Sequence, residues 1–126
     1  MKKKILLVDD EKGITDSLKS FFQNRGFYVT TAESGEEALG AIEKDKPNIV
    51  FLDIKMKGMD GLQTLEAIKK ADSAIKVIML TVLEDKEIVE KAKRLGADEY
   101  ITKPFKTEHL EEVLIRKVQG LIKGAQ

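Results

Sequence analysis

Five short apolar runs punctuate the chain: Ile5–Val8, Phe27–Thr31, Ile49–Leu52, Val77–Leu80 and Tyr100–Thr102. Their β-branched content and their spacing predict strands. Between them, apolar residues recur at helical spacing. Ile14, Leu18, Phe21 and Phe22 form one stripe, followed by Gly26 as a C-cap signal. Ala38, Leu39 and Ile42 form the next, opened by Ser34-Gly-Glu-Glu37, a capping box with Ser34 as N-cap. Leu62, Leu65 and Ile68 follow Asp60 as N-cap, and Ile88, Val89, Ala92 and Leu95 end at Gly96. Leu110, Val113, Leu114, Val118 and Leu121 mark a last helix, expected over roughly 107–122.

The runs at 49–52 and 77–80 are apolar at every position, as strands are when both faces are covered. Strands alternating with helices in this way predict an α/β fold, a doubly wound parallel sheet with helices on both faces. No internal repeat, low-complexity tract or linker interrupts it, so residues 1–126 read as a single domain with no output domain.

Composition narrows the function. With 126 residues and 42% hydrophobic content, the chain can build a real core. Lys+Arg and Asp+Glu both number 22, so the balanced charge gives no reason to expect direct nucleic-acid binding or a membrane-surface role. There is no cysteine, which excludes disulfides and thiolate metal sites. The apolar run of MKKKILLV stops at Asp9, too short for a signal peptide or membrane insertion. A cytoplasmic protein is expected.

In a doubly wound sheet, functional groups collect beyond the carboxyl ends of the strands, where strand order reverses. Here those ends carry Asp9-Asp10, Asp53, Thr81 and Lys103-Pro104. Like carboxylates held close together repel one another unless a cation intervenes. A hard divalent ion with oxygen preference fits; Mg²⁺ is the natural choice, because it takes one or two carboxylates and keeps positions for water and phosphate oxygens. A carboxylate oxygen beside such an ion can attack phosphorus, with Lys and Thr supplying charge and a hydrogen bond to the phosphoryl oxygens.

Together the stretches VDDE, FLDIKMKGMDG, MLTV and YITKPF resemble the receiver domain of bacterial two-component response regulators, across essentially the whole chain and in the same order. The resemblance implies a flavodoxin-like (βα)₅ fold like that of the chemotaxis regulators, with strand order 2-1-3-4-5. It implies a phosphorylation-activated signalling switch rather than an enzyme with an external substrate. Asp53 would be the phosphoacceptor for a histidine kinase or phosphotransfer protein. Asp10 and Asp53 would bind Mg²⁺ (or Mn²⁺) directly, with the backbone carbonyl of Lys55, and Asp9 would act through water. Lys103 would pair with the phosphoryl group, and the Lys103–Pro104 peptide bond would be cis. Thr81 would hydrogen-bond a phosphoryl oxygen, and Tyr100 would turn inward to fill the space Thr81 leaves, repacking the helix 4–strand 5–helix 5 face for a downstream target or a separate output domain. Val82 stands where the family usually has a small residue, and Lys57 where it usually has Pro. Gly58 and Gly61 would still permit the turns of that loop.

Each residue taken singly has a plainer explanation. Asp9 and Asp10 could cap the first helix, Thr81 opens a T-V-L-E capping pattern, Lys103 could be a surface lysine and Tyr100 a strand aromatic. Their joint placement at one edge outweighs these. His109, the one histidine, reads as a surface residue. Three other functions compete with this reading. An aspartyl phosphatase would carry a second Asp two residues after Asp53, where Lys55 stands. A flavodoxin-like nucleotide binder would need a neutral first loop in place of DDEKG. A receiver that is never phosphorylated is at odds with the presence of Asp53, Lys103 and the acidic pair Asp9-Asp10. Kinase contacts are expected on helix 1, with Ile14, Thr15 and Leu18 as candidates. Ile115 falls off the core stripe and, with the tail LIRKVQGLIKG, is expected to offer an apolar spot to a partner or to a phosphorylation-dependent homodimer.

Overall fold

The structure, a computed structural model, describes residues 3–54, 60–81, 86–102 and 115–121, with the backbone alone at Thr81 and Thr102. Chain order is β1 (Lys4–Val8), α1 (Lys12–Gln23), β2 (Tyr28–Ala32), α2 (Gly35–Lys44), β3 (Ile49–Asp53), α3 (Gly61–Ala71), β4 (Lys76–Thr81), α4 (Lys86–Arg94) and β5 (Glu99–Thr102). Residues 115–121 are helical and form the described part of α5. The rest of the expected 107–122 helix lies outside the described residues, as does His109. The strands form one parallel sheet in the order β2-β1-β3-β4-β5. Each strand begins and ends within one residue of its apolar run or reaches slightly past it.

Period-two alternation on the strands divides the core into two layers. Leu6, Val8, Val50, Leu52, Val77 and Met79 face Ala38 of α2, Leu65 and Ile68 of α3 and Ala92 of α4. Ile5, Leu7, Ile49, Phe51, Ile78, Leu80 and Ile101 face Leu18 and Phe22 of α1 and Val118 of α5. Phe22 anchors the second layer, with its ring 5.3 Å from that of Phe51 and 5.6 Å from that of Phe27. Ile115 is half-buried against this layer, together with Ile14, Phe21 and Leu121. It belongs to the core flank rather than to an exposed apolar spot.

Helix ends follow the local signals. Ser34 Oγ accepts the Glu37 N–H at 3.1 Å. The return bond of the expected box goes one residue further back, from Glu33 N–H to Glu37 Oε2. Asp60 and Gln63 make a complete capping box at α3. Gly26 and Gly96 both have positive φ, the left-handed conformation in which a chain leaves a helix. Among the described residues, no helix is long and apolar enough to cross a membrane.

The end of the sheet where the strands begin is tied at Asp98, in the α4–β5 connection. Its Oδ2 accepts the Val77 N–H at 2.9 Å and the Lys69 ammonium at 2.9 Å. Its own N–H donates to Val77 O. Lys69 reaches on to Ile75 O at 2.6 Å, so one carboxylate joins α3, β4 and the start of β5. Lys69 and Asp98 are each at least four-fifths buried, and removing one member of a buried pair strands the other. Asp98→Ala should therefore lower unfolding stability by about 2–3 kcal/mol in urea titration, discounted from a fully buried pair. Lys70→Ala, which removes an exposed pair with Glu66, should change it by less than about 0.5 kcal/mol.

Candidate functional site

The site is built by strand register. Val8 of β1 stands opposite Leu52 of β3, so the next residues, Asp9 and Asp53, leave the sheet side by side. Asp9 still follows the strand: its N–H donates to Ala32 O at 3.1 Å. The chain turns away at Asp10. Asp9 Oδ1 accepts the Glu11 N–H at 2.9 Å, a turn that carries the backbone into α1. Neither aspartate caps that helix; Glu11 occupies the N-cap position and makes no side-chain cap bond.

Asp53 ends β3 opposite Leu80, one residue before Thr81 ends β4, and Thr81 in turn stands opposite Thr102 of β5. β1 and β3 are the neighbours between which the winding reverses, since β2 lies on one side of the pair and β4 and β5 on the other. Asp9, Asp10 and Asp53 each offer one carboxylate oxygen within 4.8 Å of the others. Asp9 is 1% exposed and Asp53 3%, whereas Asp10 is open to solvent. Two nearly dry carboxylates beside a wet one form an all-oxygen donor set suited to a hard divalent cation approaching from the Asp10 side. Bare, the same cluster is a concentration of like charge at the edge of an apolar core.

Tyr100 lies on β5, 43% exposed, with the Lys93 ammonium 6.0 Å from its ring centre. Beside it, under α4, a cavity of about 160 Å³ is lined by Ile54, Met79, Val89, Ala92 and the Tyr100 ring. Thr81 is placed by its backbone at the carboxyl edge of the sheet. Lys55, Lys57, Gly58, Val82, Lys103 and Pro104 lie outside the described residues.

Helix α1 corrects one expectation. Thr15 and Leu18 are 5% exposed, and the Thr15 hydroxyl donates to Lys12 O at 3.0 Å. Both face the core, so of the three candidate kinase contacts only Ile14 is partly accessible; Lys12, Asp16, Ser17 and Ser20 are the outward residues. Gly61 is a feature that sequence reasoning misread. It is not at positive φ; it is the first residue of α3, packed directly on the backbone of Asp53. The sequence signal was its place one residue after a helix N-cap.

Residues 5–115 match the family described as the response regulator receiver domain. The chain is 35% identical over 114 residues to sporulation initiation phosphotransferase F of Bacillus subtilis (strain 168), covering 90% of this chain and 92% of that one. It is 42% identical over 110 residues to a probable transcriptional regulator, ycf27, of Guillardia theta, covering 87% of this chain and 43% of the relative. It thus spans nearly all of one relative and less than half of the other. The solved structure of chemotaxis protein CheY4 of Vibrio cholerae superposes with a TM-score of 0.88 at 28% identity, covering 96% of this chain and 99% of that one. With that match across most of its length, the chain belongs to the response regulator receiver domain family.

Proposed function

We propose that Asp53 accepts a phosphoryl group from the phosphohistidine of a histidine kinase or phosphotransfer protein, and that this switches the affinity of the α4–β5–α5 face for a partner. The observation that carries the reading is the placement of Asp53: nearly dry, at the switch point, within 4.8 Å of two further carboxylates. A carboxylate oxygen attacks phosphorus, the bond to the imidazole nitrogen breaks, and the imidazole leaves. The phosphoryl group adds charge and acceptor oxygens at the carboxyl edge of the sheet.

Asp10 and Asp53 would hold Mg²⁺ (or Mn²⁺) directly, with the Lys55 carbonyl as a further ligand and Asp9 through water. When bound, that ion offsets the clustered negative charge and orients phosphoryl oxygens. Asp9 suits a supporting role because one of its oxygens already holds the Glu11 N–H and fixes its orientation. Lys103 contributes an ammonium to the incoming group and Thr81 a hydroxyl. Tyr100 is the readout: its half-exposed ring borders a cavity that leaves room for repacking. The chain acts as a single cytoplasmic receiver domain rather than as an enzyme with an external substrate. Its relatives include one of about its own length and one more than twice as long, so it works either alone or joined to an output domain.

Intact mass after incubation with acetyl phosphate tests the reading. The expected result is a Mg²⁺-dependent gain of one phosphoryl group, lost in Asp53→Asn. No gain from acetyl phosphate or from a kinase, in a chain that folds and binds Mg²⁺, would instead favour an interaction module that is never phosphorylated.

Asp10→Asn separates the metal's share. Losing about 1.4–2.8 kcal/mol of attraction should weaken Mg²⁺ binding about tenfold to hundredfold. The same change should raise the urea midpoint of the metal-free chain, because one of three crowded charges is gone. Unchanged Mg²⁺ affinity by calorimetry would remove Asp10 from the ligand set.

A further inference from the structure

Ile54, the residue that follows Asp53, is held from two sides. On the β4 side, the Ile54 N–H donates to Leu80 O at 3.0 Å. On the α3 side, the Ile54 carbonyl accepts the Gly61 N–H at 2.9 Å. Gly61 is buried, and its bare Cα lies on the Asp53–Ile54 peptide. A Cβ at this position would stand 2.3 Å from the Asp53 carbonyl oxygen and 2.5 Å from Ile54 Cα, both backbone atoms. Carbon contacts are repulsive well outside those distances. The requirement for glycine is therefore one of space, since no unusual φ is involved.

Neither side of this contact can give way easily. α3 is seated by the Asp60–Gln63 capping box, by the Thr64 hydroxyl on Asp60 O at 2.9 Å, and by the buried side chains of Thr64, Leu65 and Ile68. β3 is paired on both edges, with β1 and with β4. Gly13, Gly40 and Gly120, by contrast, have nothing within 4 Å of an added Cβ.

We infer that Gly61 is a positioning residue for the acceptor carboxylate: its missing side chain lets α3 press the Asp53–Ile54 peptide against β4, which fixes where the Asp53 carboxylate stands relative to Asp9 and Asp10. The inference rests on the reading of Asp53 as phosphoacceptor. A methyl group at 61 must move either the end of β3 or the first turn of α3, and both routes misplace the Asp53 oxygens.

Gly61→Ala tests this beside two comparisons. Gly40→Ala adds a methyl group in open space within α2, and Asp60→Ala removes the α3 cap without adding atoms against Asp53. Urea stability, Mg²⁺ affinity and the initial rate of phosphoryl gain from acetyl phosphate are measured for each. Gly61→Ala should slow phosphoryl gain by about a hundredfold, as a displacement of about 1 Å can, and should weaken Mg²⁺ binding in the folded chain. Asp60→Ala should lose stability yet keep both functions close to those of the unaltered protein. A Gly61→Ala chain that loses only stability would overturn the inference. If that variant does not fold, amide hydrogen exchange on the unaltered chain decides. A Gly61 N–H that exchanges only through global unfolding upholds the clamp, and one that opens locally, ahead of the β3 amides, overturns it. An unaltered chain that never gains a phosphoryl group retires Asp53 as acceptor, and Mg²⁺ affinity with exchange then judges Gly61 by itself.

Discussion

The parallel pairing of β1 with β3 is the contact on which the site depends, and its register is not set by hydrophobic patterning. Both strands are apolar on both faces, so a slip of one residue would still bury apolar side chains on each side. What holds the register is polar. Asn48, just before β3, donates its N–H to Lys4 O at 2.9 Å and accepts the Lys4 N–H on its side-chain oxygen at 2.8 Å. This two-point hook at the starting end of the strands places Val8 opposite Leu52, and hence Asp9 beside Asp53, at the far end. The core supplies the adhesion, and the Asn48 hook adds a polar alignment at the start of the ladder.

The strands, the helix caps and the acidic edge were legible in the chain because they rest on local chemistry. Strand ends fell where apolar runs met polar residues, and Ser34 and Asp60 cap the helices they precede. Asp9, Asp10 and Asp53 could be brought together on paper because any doubly wound sheet gathers its strand ends. Which of them would be dry was not legible. Asp9 is buried because its backbone is still paired to Ala32, a contact 23 residues away in the chain.

The misreadings share a cause. Thr15 and Leu18 lie on a helix face that the sheet covers, Ile115 packs against the core layer beneath α5, and Gly61 is needed because α3 approaches β3 closely. Each depends on a distance between elements, which a one-dimensional pattern does not contain. Asp98 escaped notice for the same reason: in sequence it is one acid among 22, and only the fold sets it between Val77 and Lys69.

That acid gives the sheet an asymmetric mechanics. β5 is fastened where it starts, through the carboxylate that also holds α3 and β4, while its ladder with β4 runs out four residues later at Thr102. The edge strand is thus anchored by a largely buried carboxylate just before it begins and paired to β4 along its whole length. The start of β5 is thereby fixed relative to both α3 and β4 by that one carboxylate.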